Sequence, residues 1–124
     1  MDTNYYLNKF KSNSEELGRD KALLQTLSLF IGNISDDVEK CNSNSMKSES
    51  IIHVLNSSDK KWTSICKKII AHNYIIDKEQ VQKESEGKKS IKFKEYNKFW
   101  IPKYTKTLKV TMNEKFDGLK HYWK

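Results

Sequence analysis

The predicted fold depends on residues 48–72, which read SESIIHVLNSSDKKWTSICKKIIAH. Ser48 is placed to cap a short first helix, and the polar triplet at 56–58 is typical of a turn. The last serine of that triplet, or Asp59, can cap a second helix that runs to His72. The second helix has one apolar face, formed by Trp62, Ile65, Cys66, Ile69 and Ile70, with lysines on or beside the opposite face. This pattern predicts a helix, a short turn and a second helix.

A two-stranded hairpin is predicted over residues 73–96. Tyr74-Ile75-Ile76 has the aromatic and β-branched character of a strand. Residues 90–94 alternate polar and apolar side chains, which is the period of a strand with one buried face. The polar segment 84–89, which contains Gly87, would form the basic tip between the two strands.

Further helices are predicted on both sides of this motif. Residues 19–34 carry apolar side chains at the helical period, and a shorter helix is expected around residues 5–10. After an extended segment that ends at Pro102, Thr111 and Glu114 match a capping box that would begin a last helix over 111–124. Its apolar stripe is Met112, Phe116, Leu119 and Trp123. The stripe would pack on its own domain or on a second copy, and we expect a homodimer.

Composition limits the class of protein. A chain of 124 residues with 36% hydrophobic and 31% charged residues corresponds to one globular domain. No apolar run approaches the ~18–20 residues of a membrane span, and the N-terminus lacks the features of a secretory signal, so we expect a cytoplasmic protein without membrane contact. Residues 1–59 have a charge balance of −3, whereas residues 60–124 have one of +10. A polyanion, most commonly nucleic acid, would be attracted to the second half.

The order helix, turn, helix and hairpin resembles the winged helix-turn-helix of MarR-like bacterial domains and of plasmid or phage partition and transfer proteins. The residues that carry this resemblance are Ile51-Ile52, the turn Leu55-Asn56-Ser57-Ser58, Trp62, Ile65 and Ile69, and the wing entry Asn73-Tyr74-Ile75. Two positions depart from the pattern, since Ile52 replaces a small Ala and Asn73 replaces a Gly. The resemblance implies an α+β, mainly helical fold: one winged-helix domain over residues 1–124, with additional N- and C-terminal helices.

The resemblance also implies that the partner is double-stranded DNA. A recognition helix would dock in the major groove, and the basic wing would lie on the flanking backbone. The predicted contact residues are Lys60, Lys61, Thr63, Ser64, Lys67, Lys68, Lys83, Lys88, Lys89 and Lys92. Because lysine is a point charge, affinity should come mainly from phosphates. Such a protein would act as a regulator or as an accessory factor in plasmid or phage replication, partition or transfer.

Two other functions remain open. In the first, the chain is a protein-interaction module, such as a small phage-encoded inhibitor. In the second, it binds single-stranded nucleic acid and stacks the bases on the aromatic residues Tyr96, Phe99, Trp100 and Tyr104. Catalysis is not expected, because Cys66 falls on an apolar face and the three histidines are dispersed. Neither a cofactor nor a metal is expected, since the sequence has no phosphate-binding glycine motif and no ligand spacing for a metal.

Overall fold

In the computed structural model, which describes residues 2–43, 48–116 and 122, the chain folds as four α-helices. Helix α1 spans Thr3–Leu17, α2 spans Arg19–Ser43, α3 spans Ser48–Glu84 and α4 spans Phe93–Lys115. The described residues contain no strand. The prediction of an α+β fold with a winged helix-turn-helix is therefore wrong, because this part of the chain is all-helical.

The predicted helix-turn-helix at 48–72 is one uninterrupted helix, α3. Leu55, Ser58 and Trp62 are all buried at successive spacings of three and four residues, so one helical face continues through the expected turn. The Ser58 hydroxyl donates to the Val54 carbonyl at 2.7 Å. The serine therefore satisfies its hydrogen bond within the helix, as serines in helix interiors often do.

The predicted wing at 73–96 is also wrong. Tyr74 and its two isoleucine neighbours lie within α3, and α4 begins at Phe93. The Tyr74 hydroxyl donates to the Ile91 carbonyl at 2.7 Å, and its ring lies 5.1 Å from that of Phe93. An aromatic residue that favours strands thus holds the connection 85–92 against α3, because packing overrides β propensity. The chain reverses at Gly87, whose φ of 81° suits glycine.

A single helix, α4, replaces the predicted extended segment and the first five residues of the last helix predicted over 111–124. Pro102 lies inside α4 at an exposed position, so the backbone groups that its ring leaves unpaired are on the solvent side. Thr111 and Glu114 do not begin a helix but belong to the last turns of α4. Met112 is fully buried in the chain's own core. Leu119 and Trp123, from the same predicted stripe, lie outside the described residues.

The predicted helix at 19–34 begins where expected but is longer, since α2 continues through Gly32 to Ser43. The predicted short helix at 5–10 lies inside α1, which is capped by the side chain of Asp2. Gly18, with a φ of 86°, separates α1 from α2, and its N–H donates to the Ser14 carbonyl at 3.1 Å. This conformation strongly favours glycine.

All four helices contribute to one core. Phe10 of α1, Leu27 of α2, Ile65 of α3 and Leu108 of α4 are each at most 1% exposed. Aromatic contacts join three of the helices, because the Phe30 ring of α2 lies 5.5 Å from the Tyr6 ring, edge to face, and 5.3 Å from the tilted Trp62 ring.

Helices α3 and α4 lie side by side and antiparallel. The Trp62 indole donates to the Tyr104 carbonyl at 3.4 Å, and Asn73, farther along α3, donates to the Tyr104 hydroxyl at 3.3 Å. Near the end of α3, Asp77 accepts from the Tyr96 hydroxyl at 2.6 Å. This pairing creates a groove between the outer sides of the two helices.

Candidate nucleic-acid interface

The apolar face predicted for residues 59–72 is confirmed. Trp62, Ile65 and Ile69 have no exposed surface, so this side of α3 is fixed in the core. Cys66 is buried as well, and burial raises the pKa of its thiol, which leaves an unreactive side chain. The remaining sides of α3 face solvent and its neighbouring helices, and they divide the predicted contact lysines into two groups.

The first group of lysines borders the side of α3 that faces α4. Lys60 and Lys67 are exposed and seven residues apart, so they lie in one stripe of the helix surface, about 10 Å apart along its axis. Thr63, beside this stripe, lines a cleft of about 310 Å³ with residues of α4. Lys78, a further eleven residues along, continues the same stripe and is partly exposed.

Helix α4 places a second stripe of basic residues along the same groove. Lys94, Lys98 and Lys109 share one side of the helix with Thr105, within about 60° of one another. The cleft itself is lined by Asp59, Thr63, Pro102, Thr105, Lys106 and Lys109. We call this cleft, with the stripe of Lys60, Lys67 and Lys78 and the stripe of Lys94, Lys98 and Lys109, the lysine groove. Asp59 is the one acid among the residues that line the cleft.

The second group of predicted contact lysines faces away from the lysine groove. Lys61 lines a different cavity, with residues of α1 and α2. Lys68 donates to the Thr3 hydroxyl at 2.6 Å and to the Asn4 side chain at 2.8 Å, so its ammonium fixes the start of α1. The structure therefore does not bring all the predicted lysines of 60–68 to one surface.

Two predicted polar contacts are engaged within α3. The Thr63 hydroxyl donates to the Asp59 carbonyl at 2.9 Å, and the Ser64 hydroxyl donates to the Lys60 carbonyl at 3.2 Å. The backbone amides expected at the start of a recognition helix are likewise internal, because α3 begins at Ser48. No helix of the described residues therefore begins near residue 59, where a helix N-terminus was expected to bind a phosphate.

The lysines predicted for the wing are exposed but do not form a hairpin. Lys83 lies in the last turn of α3. Lys88 and Lys89 follow in the connection, and Lys92 directly precedes α4. They extend the positive charge beyond the end of α3 at which the lysine groove terminates.

The aromatic residues predicted to stack single-stranded bases are largely used in packing. Tyr96 and Tyr104 are buried, and Trp100 contacts both, with ring centroids 6.3 and 5.8 Å apart. Phe99 is 54% exposed, and Lys103 lies over its ring at 3.6 Å. Of the four aromatic residues, Phe99 alone therefore presents a ring mainly to solvent.

Five lysines of the groove were not predicted as contact residues from the sequence: Lys78, Lys94, Lys98, Lys106 and Lys109. The density of lysines around 88–109 was visible, but the segment was interpreted as a strand and an extended chain. Had residues 93–115 been assigned to a helix, the spacing of Lys94, Lys98 and Lys109 would have placed them on one side.

Within the described part of the chain, no three His, Cys, Asp or Glu side chains come together in an arrangement that could hold a metal ion. None of the helices there is at once long enough and apolar enough to cross a bilayer. Among known proteins, no family model matches the chain, and neither a curated protein nor a solved structure is detectably similar to it.

Proposed function

We propose that this protein binds double-stranded DNA through its phosphate backbone, with the lysine groove as the contact surface. The observation that carries the proposal is the cleft between α3 and α4: Lys106 and Lys109 line it, and Lys60 and Lys67 lie one helical turn on either side of Thr63 on its α3 side. Asp59 is the one acid of its lining. Opposed basic stripes of this kind attract a polyanion strongly at low ionic strength.

Phosphate fits the groove better than a base edge does. The side chains along it that can donate hydrogen bonds are lysines and threonines, and lysine lacks the rigid fork by which arginine recognises guanine. The stripe from Lys94 to Lys109 extends about 22 Å along α4, long enough to meet several phosphates. We therefore expect strong dependence on salt and weak dependence on base sequence.

A duplex is favoured over a single strand because most of the α4 aromatic residues are packed against one another. Binding of single strands relies on exposed rings on which bases stack. Tyr96 and Tyr104 are 8% and 5% exposed, so neither offers a free face. The groove would instead follow a backbone of regular spacing, as a duplex provides.

The biological role belongs to the same proposal. A regulator or a plasmid or phage accessory factor would bind near its own gene, which footprinting on the upstream region tests. The homodimer expected from the sequence stays a prediction, and sedimentation of the free protein tests it.

The decisive experiment compares two double variants of α3 that remove the same charge at the same spacing. Lys60→Gln/Lys67→Gln removes lysines of the groove, whereas Lys61→Gln/Lys68→Gln removes their neighbours on the other side. Anisotropy titrations with a labelled duplex are made at several salt concentrations. We expect the first variant to reduce the log–log salt slope by about 1.8, at about 0.9 per phosphate contact, and the second to leave it unchanged.

Three results would overturn the proposal. The first is an equal reduction of the salt slope in both double variants, which would mean that net charge rather than the groove determines binding. The second is tighter binding of a single strand than of a duplex of the same length. The third is equal competition by polyaspartate, which would show an affinity for any polyanion.

A further inference from the structure

A cavity of about 370 Å³ lies where α1, α2 and α3 meet, on the side of α3 away from the lysine groove. Its volume is near the lower end of the range of about 300–1,000 Å³ found for small-molecule sites. The residues that line it are Tyr6, Phe30, Asn33, Ile34, Asp37, Ser57, Ser58 and Lys61. They combine an aromatic base with two opposite charges.

The base of the cavity is rigid and apolar. Tyr6 and Phe30 are each 1% exposed, and their rings meet edge to face. The Tyr6 hydroxyl accepts a hydrogen bond from the Asn33 side chain, which fixes the ring in place. Ile34 is half-buried and adds an aliphatic wall. The two rings therefore form a rigid floor beneath the cavity, and the half-buried Ile34 supplies the apolar surface that a ligand can reach.

Two opposite charges line the same cavity without neutralising each other. Lys61 comes from α3 and Asp37 from α2, and in the described part of the chain neither forms an ion pair. Ser57, which is exposed, adds a hydroxyl to the lining of the cavity. An ammonium and a carboxylate around one apolar base are complementary to a molecule that carries both charges and an apolar body.

We infer that this cavity binds a small zwitterion with an apolar body, of which a free amino acid with an aromatic or large aliphatic side chain is the simplest. Lys61 would hold the ligand carboxylate, and Asp37 would hold its ammonium group. The apolar side chain would lie on Ile34, above the rigid rings of Tyr6 and Phe30. The inference is independent of the proposed function, because the lysine groove contributes no residue to this cavity.

Calorimetric titration of the full chain tests this inference with probes that separate the two charges. The probes are L-phenylalanine, the dipeptide Gly-Phe, phenethylamine, which lacks the carboxylate, and 3-phenylpropanoate, which lacks the ammonium group. We expect one of the two zwitterions to bind at least about tenfold more tightly than either singly charged compound, since each loses one charged hydrogen bond.

Variants assign each charge to its partner. Lys61→Gln should weaken binding of the zwitterion about tenfold and leave phenethylamine unchanged, whereas Asp37→Asn should weaken the zwitterion and leave 3-phenylpropanoate unchanged. Lys60→Gln and Asp36→Asn are the matched controls, because each removes the same charge one residue away, outside the cavity lining. Both controls should bind the zwitterion as tightly as the wild type does.

The inference is overturned if neither zwitterion binds up to its solubility limit. It is also overturned if the singly charged compounds bind as tightly as the zwitterions, or if the control variants lose as much affinity as Lys61→Gln and Asp37→Asn. Thermal unfolding of each variant without ligand checks that its fold is intact, which is expected because both charged residues lie at the surface of the cavity.

Discussion

Arg19 and Asp77 form a two-pronged ion pair between the start of α2 and the later part of α3. Their Nη1–Oδ2 and Nη2–Oδ1 distances are both 2.9 Å. The Tyr96 hydroxyl of α4 donates to the same Oδ2 at 2.6 Å, so one carboxylate joins three helices. Arg19 is the only arginine of the chain, and its rigid fork provides a geometry that lysine lacks.

Asp77→Asn should lower the free energy of unfolding by about 1–2 kcal/mol, because the charged hydrogen bonds from Arg19 are lost. The value is at the low end for charged pairs since both side chains are about a third exposed and partly solvated. Arg19→Lys should cost a similar amount, because lysine cannot bond both oxygens. Urea unfolding measures the loss. Glu79→Gln, an exposed acid on the same helix, is the control and should change stability by less than about 0.5 kcal/mol.

The contribution of Asp77 should also depend on pH. The hydrogen bonds from Arg19, and then that from Tyr96, hold the pKa of this carboxyl below its ordinary value of 3.8. The ionised form is therefore favoured in the folded state, and the stabilisation is fully present above pH 3.8 and lost as the pH falls through the lowered pKa. We expect the difference in unfolding free energy between wild type and Asp77→Asn to be constant near neutrality and to shrink in acid. A difference that grows on acidification would contradict this assignment.

Substitutions at Asn56 should distinguish the continuous α3 from a turn. In a helix, Asn56→Ala should stabilise the protein by about 0.5 kcal/mol, because alanine has the higher helix propensity and the side chain is exposed. Asn56→Pro should cost about 3 kcal/mol or more, since it removes a helical hydrogen bond. Chemical unfolding measures both. Loss of stability in Asn56→Ala, with proline tolerated, would instead indicate a turn at this position.

The continuity of α3 can be inferred from the helical phase of its buried residues. Leu55, Ser58 and Trp62 keep the helical phase through the supposed turn, and only the polar character of the Asn-Ser-Ser triplet suggested a break. Serine is compatible with a helix interior when its hydroxyl bonds a preceding carbonyl, as the Ser58 hydroxyl does with Val54. The buried face of this segment was correctly predicted because it depends on phase alone.

The later half of the fold was harder to predict, because tertiary contacts decide it. Tyr74 and Ile91 look like strand residues, yet the tyrosine hydroxyl bonds the Ile91 carbonyl across a loop. Pro102 indicated an extended chain, but α4 continues through it, because burial of Tyr104 and Leu108 in the core offsets the hydrogen bond that the proline removes. The lysines of α4 were missed for the same reason, since they can be assigned to a common side only once the segment is known to be helical.

The two exposed sides of α4 should differ in their effect on DNA. Lys98 lies in the stripe along the lysine groove, whereas Lys103 lines a separate cavity with Asp20 and Leu24 of α2 and packs over Phe99. Lys98→Gln should reduce the salt slope of duplex binding by about 0.9, and Lys103→Gln should leave it unchanged although it removes the same charge. Anisotropy titrations at several salt concentrations measure both slopes. A larger loss in Lys103→Gln would move the contact surface to the α2 side of α4, where Phe99 is exposed, and would favour stacking of single-stranded bases over contact with duplex phosphates.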